Sequence, residues 1–489
     1  MKKTKKSISV NAFLNSIRSI LNILFPIITF PYVSHVLKVQ GIGIYNFSSS
    51  IVSYFVLIAG LGIATYAIRE GAKLRNNKEE ISEFASEIFT INIVSTLISY
   101  LLLFICLLVF KKLRVYSTCI LILSTQILFT TLGTEWIYQI YEDYSFITIR
   151  SIIFQLLSIF LLFIFVKKPQ DYLNYAVISA FSIVGSNILN FVYARQYCRI
   201  TITWNFNWRK HMLPIMILFF ANVANMIYIN SDITVLGILK NDYIVGIYSV
   251  SAKVYSIVKT LISALLIVTV PRLAMLFGQK RVKEYNSILA KLTNTLLILV
   301  LPASVGLFML AREVVLIISG ANYLKSTTSL RILCCAYVFS ILSWILNDCV
   351  LIPAKRERSV LKSMSISAII NIAFNVIFIP VWNENAAAIS TVMAEFSMLV
   401  VNYYSSKDLV RDIYFSKTMC KNFVTSCVGC LGIIGICMLC DISYRSLILK
   451  TIISVILSVI IYFAILFLLK NKIAEDMVNK ILKTVRLKK

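Results

Sequence analysis

The sequence predicts an all-α membrane protein with about 14 transmembrane helices, arranged as two lobes of six helices and two accessory helices. Three observations lead to this prediction: the apolar composition, the placement of the basic residues and an internal repeat. Hydrophobic residues make up 59% of the 489 residues, and the mean hydropathy is +0.83. A water-soluble fold cannot bury so large an apolar fraction, and at about 20 residues per crossing the apolar runs supply roughly 14 spans.

The spans follow from apolar runs that end at charged breaks, and the connections are too short to hold a soluble domain. Because the charges of Met1–Lys6 lead directly into a full-length span, we expect the first helix to be a signal anchor. We place the spans near residues 8–36, 42–68, 84–110, 115–139, 145–166, 173–195, 212–239, 243–271, 287–310, 313–320 merging into 327–352, 360–382, 385–405, 419–440 and 447–469.

The basic residues give the orientation. The chain carries 48 Lys and Arg against 22 Asp and Glu, a net charge of +26, and most of the excess lies in alternate connections and at both ends. By the positive-inside rule we expect both termini in the cytoplasm, with the charge facing anionic lipid rather than nucleic acid. In the C-terminal tail, the spacing of Ile473, Met477, Ile481 and Val485 predicts a basic amphipathic helix on the membrane. A frayed charged end is the alternative.

An internal repeat divides the chain. The motif beginning Gly43-Ile44-Tyr45 recurs as Gly246-Ile247-Tyr248, and three further matches follow in order at a similar offset. Four ordered matches indicate a duplicated unit of six spans. We therefore expect an N-terminal lobe at 1–200, a C-terminal lobe at 201–410, and two accessory helices with a basic tail at 411–489. An even number of spans per copy predicts a pseudo-twofold axis along the membrane normal, with the site between the halves.

The first span carries a polar stripe, which consists of Asn11, Asn15, Arg18 and Asn22. Their spacing places all four on one face of a helix. At about 1.5 Å per residue, Arg18 lies roughly 15 Å inside the span, so we expect this face to line a polar interior.

Other spans carry polar residues at depth, and a buried charge there is usually kept for a pathway or a buried pair. An Asn by itself equally fits a role in helix packing, and an Arg18–Asp232 structural pair is the main alternative for those two charges. The candidates are Asn222, Asn225 and Asp232 in the seventh span, Lys253 and Lys259 in the eighth, Glu395 in the twelfth, Glu135 ending the fourth and Asp348 ending the tenth.

Metal and cofactor chemistry is not expected. The cysteine run Cys427-x2-Cys430-x6-Cys437-x2-Cys440 lies in an apolar helix, and its central gap is too short for a zinc knuckle. The two histidines, His35 and His211, lie near span ends. They provide little for acid–base catalysis, and the chain has no long loop that could hold a catalytic site.

Nearly the whole chain, in order, resembles Wzx-type polysaccharide flippases. The residues that carry the resemblance are Pro31-Tyr32-Val33-Ser34-x-Val36-Leu37 with Gly41-x-Gly43-x-Tyr45, Arg69-Glu70 closing span two, Glu135-Trp136-x-x-Gln139 closing span four, and Asp232-x4-Gly237 before Gly246-Ile247-Tyr248. These flippases belong to the multidrug/oligosaccharidyl-lipid/polysaccharide (MOP) superfamily.

The resemblance implies a MATE-like fold, with two six-helix lobes around a V-shaped cavity that opens alternately to each side. It implies transport of undecaprenyl-diphosphate-linked oligosaccharides across the bacterial cytoplasmic membrane for O-antigen, capsule or exopolysaccharide synthesis. The partners would be the lipid-linked oligosaccharide, membrane lipids, a coupling proton or sodium ion, and a polysaccharide polymerase with its chain-length regulator.

The candidate residues suit that cargo. We expect Arg18, Lys253 and Lys259 to bind the diphosphate and the asparagines to bind sugar. We expect Asp232 or Glu395 to carry a coupling proton as an isolated carboxylate, with coupling or gating roles for Glu135 and Asp348. A drug/cation antiporter of the same superfamily is the alternative, but its cavity would be dominated by acids. An integral polymerase, ligase, glycosyltransferase or acyltransferase is a more distant alternative.

Overall fold

The computed structural model describes residues 8–414, 416–443, 446–471 and 473–475, with the side chains of 8–20, 22, 23, 264, 265, 267 and 268 left aside. All regular structure in these ranges is helical. The first nine helices are α1 Ile8–Gly60, α2 Ile63–Leu74, α3 Lys78–Val109, α4 Lys111–Val115, α5 Ser117–Gly133, α6 Glu135–Ile140, α7 Tyr144–Phe165, α8 Tyr172–Ala194 and α9 Trp208–Leu239. The others are α10 Asp242–Gly278, α11 Val282–Met309, α12 Ala311–Ser319, α13 Ser326–Trp344 continuing as the π-helical segment Ile345–Leu351, α14 Glu357–Tyr414, α15 Lys417–Ser443 and α16 Leu447–Leu468.

Twelve helical stretches in the described ranges are long and apolar enough to cross a membrane. Two of these stretches contain two predicted spans each. In both, a single residue with a non-helical backbone separates the two spans. Lys38 (φ 55°, ψ −177°) divides α1, and Asn383 (φ 50°, ψ −130°) divides α14. Both breaks fall where the sequence places the boundary between spans, and the predicted all-α polytopic membrane fold is confirmed.

The merged tenth span is a correction. The predicted stretch 313–320 does not continue into 327–352, because α12 ends at Gly320 (φ 85°) and the short 3-10 turn Ala321–Tyr323 follows it. An L-residue rarely adopts the backbone conformation of this glycine, so the chain turns here. The tenth crossing is therefore formed by Ser326–Leu351 alone.

The chain forms two compact units, residues 1–246 and 247–489. The predicted lobe boundaries at 200/201 and 410/411 stay predictions. In the first unit, α9 packs on α1 and α2, and α5 packs on both α1 and α8. In the second unit, α13 packs on α14, and α11 packs on α15. Most of the predicted C-terminal tail lies outside the described residues.

The matched tyrosines of the repeat make matching contacts. In the first unit, the Tyr45 ring lies 4.3 Å from the Tyr175 ring on α8, measured between centroids. In the second unit, the Tyr248 hydroxyl lies 3.3 Å from the Thr391 hydroxyl in the second half of α14. These contacts join the same pair of spans in each copy, the second with the sixth and the eighth with the twelfth.

The matched glycines allow a close backbone approach. A Cβ atom on Gly43 would lie 1.9 Å from the carbonyl oxygen of Asp242, and one on Gly246 would lie 2.0 Å from that of Val39. All four residues lie in the first unit. Since no Cβ fits at either place, the repeat needs glycine at both positions.

The segment that connects α8 to α9 lies extended along α3. The backbone N–H groups of residues 199, 201 and 203 donate to hydroxyls of Ser82, Ser86 and Thr90 at 3.1, 3.1 and 3.0 Å. Each of these hydroxyls also donates to the carbonyl one turn earlier in α3. Four helical residues rise about 6.0 Å and two extended residues about 6.6 Å, so the two repeats stay in register. We call this contact the hydroxyl ladder.

Candidate transport site

The predicted polar stripe of the first span cannot be placed in detail. The α1 backbone is described from Ile8, but the side chains of Asn11, Asn15, Arg18 and Asn22 lie outside the described residues. Their assignment to substrate binding stays a prediction.

Two of the predicted charges meet in the second unit. Lys259 on α10 lies with its Nζ 2.8 Å from Oε1 of Glu395 on α14. The Tyr255 hydroxyl donates to the same carboxylate oxygen at 3.1 Å, and the Lys259 ammonium also lies 5.6 Å from the centre of the Tyr255 ring. The expectation that Glu395 is an isolated carboxylate is therefore wrong. Its charge is balanced by a lysine that the sequence assigned to a different role.

This ion pair is asymmetric in exposure. The Lys259 side chain is 24% exposed, whereas that of Glu395 is 2% exposed. A charge in a low-dielectric interior needs a partner of opposite charge. Because Glu395 is the more deeply buried of the two, its charge needs the pairing more than the charge of Lys259 does. Lys253, two turns earlier on α10, is half-buried.

The predicted residues of α9 separate by depth in the first unit. Asn222 and Asn225 are exposed, while Asp232 is buried. Asn230, which the sequence did not single out, donates to the Ser53 hydroxyl of α1 at 3.4 Å. The Thr234 hydroxyl lies 3.2 Å from that of Tyr54. The second half of α1 therefore packs on α9 through polar side chains, the packing role that amides commonly have in membrane helices.

Glu135 has a buried partner that the sequence did not predict. Its Oε2 lies 3.7 Å from Nη2 of Arg150, and the Arg150 side chain is 4% exposed. Gln139 also lies within 3.5 Å of Glu135. Arg150-Ser151 matches Lys362-Ser363 in the second copy of the repeat. The place of Arg150 in an apolar span was the signal that could have identified it.

Asp348 lies in the π-helical segment after α13. The indole Nε1 of Trp344 donates to its Oδ2 at 2.5 Å. The neighbouring Asn347 is buried. A π-helical segment is rare and often marks a functional position. The gating role of Asp348 stays a prediction.

His211 forms a buried cluster that the sequence did not predict. Its side chain is 1% exposed, although its position near a span end suggested little chemistry. Nε2 lies 2.9 Å from Oε2 of Glu87 on α3, and Nδ1 lies 2.9 Å from the hydroxyl of Tyr66 on α2. One feature of the sequence could have indicated this cluster: His211 comes directly after the connection between the two copies of the repeat.

The accessory helices hold a second buried ion pair. Lys450 on α16 contacts Glu313 on α12 at 2.7 Å and also pairs with Asp441 of α15. An apolar cavity of about 380 Å³ lies among α11, α12, α15 and α16, lined by residues that include Pro302, Leu307, Ile433, Val455 and Phe463.

Two cysteines of the run in α15 pack as apolar residues, while Cys427 is exposed. Cys430 and Cys437 lie in the hydrophobic cluster that α15 forms with α11 and α16, together with Ile298 and Tyr462. Among the described residues, no three potential metal ligands group together.

The many apolar helices and the charges buried among them define a class: a multi-pass membrane protein. The family described as "Polysaccharide biosynthesis protein" matches residues 8–277, more than half of the chain. The chain belongs to this family.

Two relatives cover most of the chain. A protein of Escherichia coli (strain K12) named "Putative O-antigen transporter" is 23% identical over 337 residues, 68% of this chain and 80% of the relative. A Shigella dysenteriae protein of the same name is 23% identical over 355 residues, 72% of this chain and 88% of the relative.

Solved structures show the fold. The lipid II flippase MurJ in an inward closed conformation superposes with a TM-score of 0.71 at 16% identity, covering 96% of this chain and 99% of MurJ. An inward-facing MATE family multidrug resistance transporter gives 0.59 at 13% identity, covering 82% of this chain and 99% of that one. The MATE-like fold that the resemblance implied is confirmed.

Proposed function

We propose that the chain translocates undecaprenyl-diphosphate-linked oligosaccharides from the inner to the outer leaflet of the bacterial cytoplasmic membrane by alternating access. The product would enter O-antigen, capsule or exopolysaccharide synthesis, and both termini would face the cytoplasm. The family, the names of the relatives and the fold support a polysaccharide-related flippase that is not an enzyme. The observation that carries the finer proposal is the Lys259–Glu395 pair.

The pair offers a way to exchange one anion for another at Lys259. Lys259 is partly accessible, and its carboxylate partner lies buried behind it. A phosphate group that approaches Lys259 competes with Glu395 for the ammonium. If Glu395 then takes up one proton, no uncompensated charge remains buried, because the neutral carboxyl keeps its hydrogen bond from Tyr255. Substrate binding and proton uptake are thereby linked at one site.

The drug/cation antiporter is less compatible with this geometry. A cationic drug needs an acid that is available to it. Glu395 already has the ammonium of Lys259 at 2.8 Å and the hydroxyl of Tyr255 at 3.1 Å. Binding a cation there would first require displacing a lysine from a buried carboxylate, which is unfavourable.

The test is accumulation of lipid-linked oligosaccharide on the cytoplasmic face in cells that lack the chain. We expect the wild-type chain to clear this pool. Lys259→Arg should clear it partly, since the cation remains, and Lys259→Gln should not. Efficient clearance by the Lys259→Gln variant would refute the role of the pair in transport.

A charge-free double variant separates function from stability. Lys259→Gln with Glu395→Gln leaves no buried unpaired charge, so we expect it to fold and still fail to transport. The matched control is Lys450→Gln with Glu313→Gln, which removes another buried pair of the same unit. We expect the control to transport. If both double variants transport equally, the Lys259–Glu395 pair is structural only.

Arg18 allows a further test of the predicted stripe. If Arg18 binds the diphosphate, Arg18→Ala should accumulate the lipid-linked substrate, while Arg18→Lys should be partly active. Normal clearance by both variants would remove Arg18 from the binding site.

A further inference from the structure

The buried cluster around His211 has no part in the site proposed above. It joins three elements of the first unit: Tyr66 comes from α2, Glu87 from α3 and His211 from the first turns of α9. Both ring nitrogens of His211 are engaged, each at 2.9 Å. The helix that begins here directly follows the segment held by the hydroxyl ladder.

The hydrogen bonds define which nitrogen carries the proton in the neutral ring. An ionised Glu87 only accepts, so Nε2–H donates to it. Nδ1 is then an acceptor, and the Tyr66 hydroxyl donates to it. The neutral histidine is satisfied on both sides in this arrangement, and it holds α9 to α2 and α3 at once.

Protonation changes one of these two contacts and keeps the other. In the imidazolium both nitrogens donate, so the bond to Glu87 becomes an ion pair and gains strength. The bond to Tyr66 must reverse, because the ring can no longer accept a hydrogen from the phenol. The described residues record no second acceptor for that phenol hydrogen, so the contact between α9 and α2 weakens.

The surroundings of the ring contain few other charges. Burial of the ring is the largest influence on His211 and acts against protonation, Glu87 acts in favour of it, and Lys210 on α9 acts against it. On the α2 side, Arg69 and Glu70 lie close enough to influence Tyr66. Aromatic rings also surround the imidazole: those of Phe84 and Phe206 lie 5.9 and 6.1 Å away, measured between centroids. Among these charged groups, Glu87 is the one in contact with the ring that favours a bound proton.

We propose that His211 is a proton-binding site, and that its occupancy determines whether the start of α9 is held firmly by both α2 and α3 or mainly by α3. Histidine titrates near neutral pH, where small environmental changes alter its charge. The use of this proton in transport rests on the proposed function, because it would couple the proton to the movement of a helix during the cycle.

The titration can be observed directly, because the sequence contains two histidines. The full chain, labelled with ¹³C and ¹⁵N histidine in lipid nanodiscs, is followed by NMR between pH 5 and 8.5. Substitution of His35, which is exposed and bonded to the carbonyl of Pro31, assigns the two signals. We expect the neutral form of His211 to carry its proton on Nε2 and to titrate within this range. A ring that stays neutral throughout, or carries its proton on Nδ1, overturns the proposal.

Glu87→Gln and Glu83→Gln form a matched pair on α3. Both remove one negative charge, but Glu83 is exposed and one turn away. We expect Glu87→Gln to move the His211 titration midpoint to lower pH by about one unit or more, because an opposite charge in contact has an effect of that size. Glu83→Gln should move it by a few tenths at most. Equal effects of the two substitutions contradict a direct Glu87–His211 contact.

The helix movement is measured separately by hydrogen exchange. After correction for the intrinsic pH dependence of exchange, the first turns of α9 should exchange faster at pH 5.5 than at pH 8. Tyr66→Phe lacks the hydroxyl that distinguishes the two states, so this pH difference should disappear. Persistence of the difference in Tyr66→Phe overturns the proposed change in the hold on α9.

Transport measurements distinguish this proposal from the proposed function. If the substrate is flipped, the pH profile of flipping in Glu87→Gln should shift in the same direction as its NMR titration. If the lipid-linked oligosaccharide is not flipped at all, the proposed function fails while the titration and the exchange data still decide the proton site.

Discussion

The Lys259–Glu395 pair predicts an asymmetric loss of stability when either partner is replaced. Lys259→Met leaves a carboxylate that is 2% exposed, with the Tyr255 hydroxyl as its one remaining donor among the described residues. Removing one partner of a buried pair costs about 3–5 kcal/mol. Glu395→Gln leaves a lysine that is 24% exposed. The flexible Lys259 side chain can bring its ammonium group to a polar environment. We therefore expect Glu395→Gln to lower the free energy of unfolding by about 1 kcal/mol.

The double variant completes the cycle. Lys259→Met with Glu395→Gln removes both charges, so its cost should be smaller than the sum of the single costs, with a coupling energy of about 0.5–3 kcal/mol.

The stabilities of these variants can be compared by thermal unfolding in the presence of a thiol-reactive dye. The dye reports exposure of buried cysteines of the same unit, among them Cys334 and Cys349. The midpoints should decrease in the order wild type, Glu395→Gln, Lys259→Met at pH 7. Equal midpoints for the single variants, or costs that simply add in the double variant, would refute the assignment of a coupled and asymmetric pair.

Three further predictions concern other parts of the chain. Gly43→Val places its Cβ 1.9 Å from a backbone carbonyl oxygen and should abolish folded protein in size-exclusion chromatography, whereas Gly306→Ala, with nothing within 4 Å, should be neutral. Ser86→Ala removes the acceptor for the N–H of Thr201 at 3.1 Å, and should lower unfolding stability by about 1–3 kcal/mol and speed exchange of that amide. Burial raises the pKa of Cys198 to about 11. At pH 7 its thiolate fraction is then about a hundredfold lower than that of an ordinary cysteine, so Cys198 should be alkylated about a hundredfold more slowly in the folded chain than in the denatured chain.

The sequence predicted the fold because hydrophobic periodicity and charge breaks directly report membrane spans. The breaks at Lys38 and Asn383 fall where the predicted spans meet. The matched glycines indicated the repeat, whereas the close backbone approach that they allow is seen only in the structure. The merged tenth span was wrong because apolar composition alone does not detect the turn at Gly320.

The site was less predictable because periodicity gives the face of one helix but not its neighbour. Lys259 and Glu395 are 136 residues apart, and no local pattern shows that they form one pair. His211 and Glu87 are 124 residues apart and were missed for the same reason. The spacing of Asn222, Asn225 and Asp232 predicts that they share one face of a helix, yet the two asparagines are exposed and Asp232 is buried. What each side chain meets depends on packing that a single helix does not determine.

The hydroxyl ladder fixes the length of the connection between the two copies of the repeat. Surface loops usually accept insertions because few of their backbone groups are bonded to the rest of the fold. Here alternate amides from residue 199 to residue 203 match successive turns of α3. One added residue would point every later amide away from its hydroxyl. A peptide tag that is harmless elsewhere on the protein should therefore be tolerated poorly at this point of the duplication.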